Sequence, residues 1–332
     1  MSDAPLLVRD VPEEALLARI FPLLPAAPTT LVGPGDDCAV VAAPDGRYVV
    51  STDVLVEDRH FRRRWSTGYD VGWRAAAQNL ADVASMGARP AALVVSLVMP
   101  GDLPVEWVTG LARGLAAACT PLGAAVVGGD LSGGDQTVVA VTVHGDLEGR
   151  DPVLRSGARA GDVVALAGTV GRSAAGLVLL EAGRPDPDLT AAYLRPDPPL
   201  AAGPRAADAG ATAMMDVSDG LLRDAGRIAR SSGVRLDLAG AALDPDREEL
   251  RAAASAVAEA GDAGAGPDAW RGVVDGWVLA GGEDHALLAT FPRGVALPAP
   301  FRAIGTVLDG APGVTVDGEA PRSATGWDHF RS

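Results

Sequence analysis

Apolar and polar residues alternate along the first half of the chain with two periods, one typical of helices and one typical of strands. Leu16, Leu17, Ile20, Leu23 and Leu24 share one helical face, which predicts an N-terminal helix. Helices are predicted at Val11–Leu24, Asp70–Met86 and Pro104–Cys119. Strands are predicted at Ala39–Ala43, Arg47–Val54, Ala91–Met99, Ala124–Val127 and Thr137–His144.

The second half alternates in the same way. Helices are predicted at Arg172–Ala182 and Ser218–Arg230. Strands are predicted at Asp162–Ala167, Thr212–Met215, Val234–Leu238, Trp277–Ala280, Ala286–Phe291 and Ala303–Val307. The Pro/Asp-rich stretch Gly183–Pro199 and the Gly/Asp-rich stretch Gly261–Asp268 are predicted to be surface loops.

A polar, glycine-rich stretch at Gly149–Arg159 separates the two halves. We place a domain boundary there, which gives domains at 1–149 and 150–332. The chain has 332 residues, 48% of them hydrophobic but only 4% aromatic, which is enough to build two cores from helices packed on sheets. Strands that alternate with helices in both halves predict an α/β (α+β) fold.

The charge of the chain limits its partners. The net charge is −15, so nucleic acid and anionic membrane surfaces would be repelled, and neither is expected as a partner. The chain contains no lysine, and all 28 basic residues are arginines. A P-loop nucleotide site needs a lysine on the phosphates, so that class is excluded.

Other sequence features indicate a cytoplasmic protein. Cys38 and Cys119 are far apart and form no C-x-x-C pair, which favours reduced thiols. The four histidines show no zinc-ligand spacing. The first ten residues have no signal-peptide pattern, and the apolar run Ala91–Met99 is too short to cross a bilayer.

Carboxylates next to apolar strands are the candidate functional groups of this chain. Five places have this character: Gly35-Asp36-Asp37, Ser51-Thr52-Asp53, Asn79 with Asp82, Gly128-Gly129-Asp130, and Asp216 to Gly220. Strand ends carry functional sites in α/β folds. Each place also has a structural interpretation. A Gly-Asp pair is also common in turns, Asp216 or Ser218 could cap the following helix, and Asn79 and Asp82 could lie on a solvated helix face.

So many aspartates need counter-charges, because neighbouring carboxylates repel and raise each other's pKa. Lysine is absent, and arginine is not adjacent to most of these places. Hard divalent cations are the natural partners, and Mg²⁺ binds carboxylate oxygens while bridging to substrate phosphates. The residues alone therefore indicate a phosphate site with several Mg²⁺ ions.

Eight motifs are spread along the whole chain: GDDCAVV from Gly35, STDVLVEDRHF from Ser51, NLADVASMGARP from Asn79, GGDLSGG from Gly128, RSGARAGD from Arg155, DVSDGL from Asp216, GGEDHALL from Gly281 and GWDHF from Gly326. Their order and spacing resemble those of the thiamine-monophosphate kinases. That family belongs to a superfamily with aminoimidazole ribonucleotide synthetase, selenophosphate synthetase and the hydrogenase maturation protein HypE.

The resemblance implies a role for each matching position. Magnesium ligands are expected at Asp36, Asp53, Asp82, Asp130, Asp216 and Asp219, with Ser51 and Thr52 assisting at the metal site. Asp36, Asp130 and Asp216 are expected to be catalytic through magnesium, without a general base. ATP contacts are expected at Gly129, Asp130, Arg155 and Ser218, and substrate contacts at His60, Glu283 and Trp327. His60 could instead be a structural histidine, and Trp327 an anchor for the C-terminal tail.

The chain also departs from the family pattern. Asp58-Arg59 stands where the family commonly has Gly-Val, Leu131-Ser132 where it has threonines, and His285-Ala286 where it has Tyr-Glu. The first and third departures lie beside expected substrate contacts, so they bear on substrate preference.

The resemblance implies a two-domain synthetase-like architecture and ATP-dependent phosphorylation of thiamine monophosphate to thiamine diphosphate. The N-terminal domain is expected to hold a mixed sheet with helices on one face, to bind ATP and magnesium, and to form a homodimer. The C-terminal α/β domain is expected to complete the ATP and substrate site. The alternatives are another ATP-dependent kinase or synthetase of the superfamily, or a non-catalytic sensor of nucleotides or thiamine phosphates.

Overall fold

The computed structural model describes residues 5–34, 38–261, 268–321 and Gly326. The chain divides into two units. The N-terminal unit holds the described residues up to Val83 together with Ala88–Gly149, and the C-terminal unit holds Ala84–Gly87 and the described residues from Arg150 onward. Both units combine helices with sheets, which confirms the predicted α/β (α+β) class.

The N-terminal unit contains three helices and six strands within its described residues. The helices are α1 (Glu13–Ile20), α2 (Gly68–Ser85, whose last residues belong to the C-terminal unit) and α3 (Val105–Cys119). The strands are β1 (Thr30–Val32), β2 (Val40–Val41), β3 (Val49–Val56), β4 (Arg89–Met99), β5 (Ala125–Gly133) and β6 (Val138–Asp146). Strand β5 continues past the predicted end at Val127, so Gly129 and Asp130 lie within it.

The main sheet of this unit is mixed, with the strand order β3-β6-β4-β5. Only the β4–β5 pair is parallel among the neighbours in this sheet. Its residues alternate between a buried face, with Val139, Val141 and Val143, and an open face. Helix α2 contacts the buried face through Val83, which lies against Gly145, and α3 packs on β5. The predicted mixed sheet with helices on one face is therefore confirmed.

Helices α2 and α3 cross with their backbones almost in contact, and glycines of both helices allow this. A Cβ atom on Gly72 would lie 2.0 Å from the carbonyl oxygen of Leu111. A Cβ atom on Gly114 would lie 2.1 Å from the carbonyl oxygen of Tyr69. Any larger side chain at either position would push the helices apart, so these glycines set the distance between α2 and α3.

The C-terminal unit contains six helices and six strands within its described residues. The helices are α4 (Arg172–Glu181), α5 (Pro187–Leu194), α6 (Ala202–Asp208), α7 (Leu221–Ser232), α8 (Asp244–Gly261) and α9 (Trp270–Asp275). The strands are β7 (Val163–Ala167), β8 (Ala213–Val217), β9 (Arg235–Leu238), β10 (Ala286–Phe291), β11 (Arg302–Leu308) and β12 (Gly313–Val316). Within the described ranges, none of the helices of either unit has the length and hydropathy needed to cross a membrane.

The six strands form one sheet in the order β12-β9-β11-β7-β10-β8. Strand β10 is buried along its whole length, and its residues alternate between two apolar clusters. Leu288 joins the cluster that contains the apolar residues of α4, α7, α8 and α9, whereas Leu287 joins the cluster on the other face, which includes Ala202 and Ala206 of α6. Because both faces are covered, the ends of the central strands are the accessible places for chemistry.

Two local predictions in this half are wrong. The segment Trp277–Ala280 is helical, not a strand, because a π-helical turn at Gly276–Ala280 continues α9. A short buried apolar run has no period that separates a helix from a strand. The predicted loop Gly183–Pro199 contains α5, which begins at Pro187 after Asp186; the Asp186 carboxylate accepts the backbone N–H groups of Asp188 and Leu189. Residues 262–267 of the other predicted surface loop, Gly261–Asp268, lie outside the described residues.

Candidate functional site

Strand β3 divides its candidate ligands between two faces. Ser51 lies on the face toward the helices, and its hydroxyl donates to Asp82 Oδ2 of α2 at 2.6 Å. Asp53 shares the face of Ser51, because side chains two residues apart in a strand point the same way. Thr52 points to the open face, where its hydroxyl donates to the Val141 carbonyl at 3.0 Å. The structure therefore brings Ser51 and Asp82 together and places the Thr52 side chain away from them.

Asn79 lies one turn before Asp82 in α2 and is completely buried. Its amide nitrogen donates to the Ala75 carbonyl at 2.8 Å. Among the described residues, its Oδ1 atom has no hydrogen-bond partner. A buried oxygen without a donor is costly, and a bound cation would satisfy it. Together with Ser51, Asp53 and Asp82 it offers the hard oxygen ligands that Mg²⁺ prefers, so these residues fit that metal.

The structure does not assemble a complete metal site from the residues it describes. No three His, Cys, Asp or Glu side chains converge within residues 5–34, 38–261 and 268–321. Asp36, an expected ligand and catalytic residue, lies outside the described residues, as does Trp327, an expected substrate contact.

Gly129 and Asp130 form an exposed part of β5 beside β4, with Val95 paired to Gly129 and Ser96 to Asp130. A Cβ atom on Gly129 would lie 2.1 Å from the Val95 carbonyl oxygen, so glycine is required where these strands meet. Both residues line a cavity of 540 Å³. The rest of its lining is almost wholly apolar and comes from α1, α3, β4 and β5, with Cys38 beside it.

The loop around His60 fixes its imidazole. The Val56 backbone N–H donates to His60 Nδ1 at 3.0 Å, so the proton of the neutral ring is on Nε2. Phe61 is buried and stacks on Trp107 with ring centroids 6.3 Å apart, which anchors the loop. Asp58 has φ = +64°, the left-handed conformation that glycine adopts most easily. The glycine that the resemblance implies at this position would adopt this conformation easily, and aspartate adopts it more readily than most other residues.

Glu57 also holds this loop and was not predicted. Burial favours the neutral acid, but hydrogen bonds from Arg63 and Thr137 outweigh it and lower the pKa of Glu57. The Glu57 carbonyl accepts the side chain of Gln136 at 2.6 Å. The signal in the sequence was a charged residue that directly follows an apolar strand.

In the C-terminal unit, Asp216 lies buried near the end of β8, and its Oδ2 is 3.2 Å from His285 Nδ1. The loop of Glu283 and His285 lies against the residues after Asp216. Glu283 N–H donates to the Ser218 carbonyl at 2.9 Å, and His285 N–H donates to the Val217 carbonyl at 3.1 Å. Both residues have positive φ, +70° for Glu283 and +53° for His285, a backbone strain typical of functional loops. The structure therefore brings Asp216, Ser218 and Glu283 together.

Asp284 is a buried residue that the sequence did not identify. Its carboxylate accepts the backbone N–H groups of Gly171, Arg172 and Ser173 at 2.9, 3.1 and 3.3 Å, so it caps the start of α4. Burial raises the pKa of Asp284 to about 7, although these hydrogen bonds act in the opposite direction. Its role is to fix the loop that carries Glu283 on one side and His285 on the other.

Asp219 lies within an ion-pair network that the sequence also did not predict. Arg227 Nη2 is 2.5 Å from Asp219 Oδ2, and Arg227 Nη1 is 2.5 Å from Asp224 Oδ1. Burial raises the pKa of Asp224 to about 7. The available signal was an aspartate placed among Leu221, Leu222, Ala225 and Ile228 on the apolar face of a helix.

Arg155 is an exposed residue of this unit. Ser232, at the end of α7, donates to the Arg155 carbonyl at 3.0 Å and accepts the N–H groups of Gly157 and Ala158 at 3.1 and 3.2 Å. Ser218 precedes the start of α7, and a helix of this length spans roughly 16 Å. The structure therefore does not bring the Arg155 backbone to Ser218, and Ser232 is the residue that orders the Arg155 loop.

Comparisons with known proteins support the family that the sequence motifs predict. The family described as AIR synthase related protein, N-terminal domain, matches residues 35–147. The thiamine-monophosphate kinase of Mycobacterium tuberculosis is 52% identical over 303 residues, which cover 91% of this chain and 86% of that protein. The enzyme of the same name from Corynebacterium glutamicum is 44% identical over 307 residues, covering 89% of this chain and 88% of that protein.

Solved structures show the same likeness. The structure described as AaThiL complexed with AMPPCP and TMP is 33% identical, with a TM-score of 0.72 over 85% of this chain and 87% of that one. Thiamine-monophosphate kinase from Stenotrophomonas maltophilia has a TM-score of 0.75 at 29% identity, over 93% and 96% of the two chains. A HypE structure has a TM-score of 0.70 at 19% identity, which supports the fold alone. The family predicted from the motifs is therefore confirmed: this chain belongs to the thiamine-monophosphate kinases.

Proposed function

We propose that this protein transfers the γ-phosphoryl group of ATP to thiamine monophosphate and so makes thiamine diphosphate. The observation that carries the proposal is 52% identity to a thiamine-monophosphate kinase along 91% of the chain. The structure described with AMPPCP and TMP supports the same pair of substrates. The structure brings together Ser51 and Asp82, and Asp216, Ser218 and Glu283, all of which belong to the motifs that resemble this family.

Magnesium is part of the proposal. Asp53, Asp82 and Asp130 of the N-terminal unit would hold it, with Ser51 orienting Asp82. Asp36 belongs to the same proposed set, and Asp216 and Asp219 of the C-terminal unit complete it. Thr52, also expected to assist there, is not retained, because its side chain lies on the opposite face of β3 from Ser51 and Asp53. When bound, magnesium would supply positive charge that offsets the repulsion between the phosphate groups of the two substrates.

The acceptor needs no general base. Its phosphate monoester has a second pKa of about 6, so the attacking oxygen is already deprotonated near neutral pH. The main obstacle is repulsion between two anions, about 4 kcal/mol for unit charges 4 Å apart at an effective dielectric constant of 20. We therefore propose that Asp36, Asp130 and Asp216 hold magnesium, whose positive charge offsets this repulsion. None of these aspartates needs to remove a proton.

ATP is assigned to the N-terminal unit. The cavity of 540 Å³ beside Gly129 and Asp130 is apolar and large enough for a purine base. The phosphates would follow the exposed backbone of β5, where Gly129 allows close approach. Arg155 and Ser218 of the C-terminal unit are the further proposed ATP contacts.

Thiamine monophosphate is assigned to His60, Glu283 and Trp327. His60 presents Nε2–H as a donor, because Nδ1 already accepts the Val56 N–H. The Glu283 carboxylate would complement the cationic thiazolium or the aminopyrimidine, and Trp327 would stack on a ring of the substrate.

A homodimer and a cytoplasmic location complete the proposal. Val50, Val54 and Val94 lie on the open face of the N-terminal sheet, with exposures of 58%, 45% and 36%. An apolar sheet face of this kind favours a second copy as its cover. Both cysteines are free thiols, in keeping with a reducing compartment.

The test is ADP release by the purified chain with ATP, MgCl₂ and thiamine monophosphate, with free thiamine as a parallel acceptor. ADP should form with the monophosphate and not with thiamine, and EDTA should stop it. Asp130→Asn should abolish activity, whereas Asp135→Asn, an exposed aspartate beyond the end of β5, should not. ADP formation with thiamine as the acceptor would contradict the proposal. A lack of ADP formation with either acceptor would also contradict it.

A further inference from the structure

Asp219, Asp224 and Arg227 form a closed ring of hydrogen bonds at the start of α7. Asp224 is fully buried, and its Oδ2 accepts the backbone N–H of Asp219 at 2.9 Å. Its Oδ1 lies 2.5 Å from Arg227 Nη1, while Arg227 Nη2 lies 2.5 Å from Asp219 Oδ2. One buried carboxylate thus fixes the backbone of Asp219 directly and its side chain through the guanidinium.

This ring differs from an ordinary helix-surface ion pair. The Asp224 side chain has no exposure, the Asp219 side chain 13% and Arg227 28%, so little water screens their charges. Arg223 adds a second guanidinium, with Nε 3.7 Å from the same Asp219 oxygen. The Asp219 carboxylate therefore already has an arginine hydrogen-bonded to it, where the proposed function places a divalent cation.

We propose that Arg227 is a placeholder cation for Asp219. In the metal-free protein it neutralises the Asp219 carboxylate and keeps it oriented, and it competes with a divalent cation for the same oxygen. The inference rests on the proposed function, because that assigns Asp219 to metal. Arg227 is a positioning residue in this account, since it acts through Asp219.

Removing the Arg227 guanidinium should affect metal binding and catalysis in opposite directions. Without Arg227 a positive charge next to the ligand disappears, so a divalent cation should bind the metal-free protein more tightly. The Asp219 carboxylate also loses the contact that orients it, so phosphoryl transfer should slow. A purely structural ion pair would lower stability without strengthening cation binding.

The test measures Mg²⁺ binding to the nucleotide-free, full-length protein by calorimetry, alongside steady-state kinetics. Arg227→Met should bind Mg²⁺ at least about fivefold more tightly, with kcat about tenfold lower and the KM of each substrate within about threefold. Arg227→Lys, which keeps the charge, should retain wild-type Mg²⁺ affinity and recover part of kcat. Arg230→Met removes an exposed arginine of the same helix and should match wild type in both measurements.

A double variant locates the effect. In Asp219→Asn combined with Arg227→Met, the gain in Mg²⁺ affinity should disappear, because the oxygen that Arg227 covers is no longer charged. If Arg227→Met does not fold, Arg227→Gln provides the second neutral substitution. Unchanged or weaker Mg²⁺ binding in the neutral variant overturns the inference. Absence of kinase activity in the wild type would instead overturn the proposed function, and the Mg²⁺ comparison would still decide the role of Arg227.

Discussion

Ser51 donates a hydrogen bond of 2.6 Å to Asp82, although 31 residues separate them in the chain. The contact joins strand β3 to helix α2 and ties two motifs of the family into one group. A carboxylate that binds a metal is oriented by such a donor, and removing the donor commonly costs about 10-fold or more in metal affinity or activity.

Ser51→Ala should therefore lower kcat/KM about tenfold and raise the Mg²⁺ concentration needed for half-maximal activity. Thr109→Ala is a matched control, because its hydroxyl donates to the Glu106 carbonyl within α3. Steady-state rates over a Mg²⁺ titration measure both effects. A Ser51→Ala enzyme with the wild-type Mg²⁺ dependence would show that the hydrogen bond does not serve the metal site.

Ser232 offers a test of the Arg155 loop. Ser232→Ala removes a hydroxyl that bonds the Arg155 carbonyl and the N–H groups of Gly157 and Ala158. We expect the KM for ATP to rise about three- to tenfold with little change in kcat, because each lost hydrogen bond is worth about 1 kcal/mol. Hydrogen exchange at the amides of Gly157 and Ala158 should accelerate.

The neighbouring Ser231 is exposed, and Ser231→Ala serves as the control. If Ser232→Ala accelerates exchange in the loop but leaves the KM for ATP unchanged, Arg155 does not contact ATP.

The two cysteines should differ in reactivity. Cys38 is exposed and lines the cavity proposed for the base of ATP, whereas burial raises the pKa of Cys119 to about 12. A thiol reagent should modify one cysteine in the native protein and two after denaturation. Mg-ATP should slow the native reaction. Rapid modification of Cys38 at saturating ATP would argue against nucleotide in this cavity.

The buried Asp284 should make stability depend on pH. Its pKa is raised to about 7 from 3.8, so the folded protein binds a proton between these values that the unfolded chain releases. Its contribution to the free energy of unfolding is therefore present at low pH and is lost as the pH rises toward 7.

Asp284→Asn keeps an oxygen for the N–H groups of α4 and cannot ionise. Its denaturant midpoint should change less between pH 5 and pH 8 than that of wild type, while the exposed control Asp102→Asn should behave like wild type. Equal pH dependence in wild type and Asp284→Asn would show that Asp284 does not titrate in this range.

Hydrophobic periodicity predicted most of the strands and helices that position the site. It succeeded for α3 and β10, whose apolar residues are numerous and continuous. It failed at Trp277–Ala280, because four apolar residues fit a buried helical turn as well as a strand. It also missed α5, because the composition of this segment is typical of a loop. The start of the helix is marked only by the Asp186 cap and the proline that follows it.

The sequence also predicted only some of the residues that form the candidate site. The motifs identified Ser51, Asp82, Asp216 and Ser218, which the structure places in two local groups. Asp284 and Ser232 were missed, because their partners lie 113 and 75 residues away along the chain. The functions of such residues depend on tertiary contacts, and no local pattern encodes those contacts.

The most direct test of the account follows the transferred phosphoryl group itself. The purified protein is incubated with Mg²⁺, thiamine monophosphate and ATP labelled at the γ-phosphate, and the products are separated and identified by mass. The label should appear in thiamine diphosphate, in amounts equal to the ADP formed. Label found in inorganic phosphate alone, or in a product without thiamine, would contradict the assignment of this chain as a thiamine-monophosphate kinase.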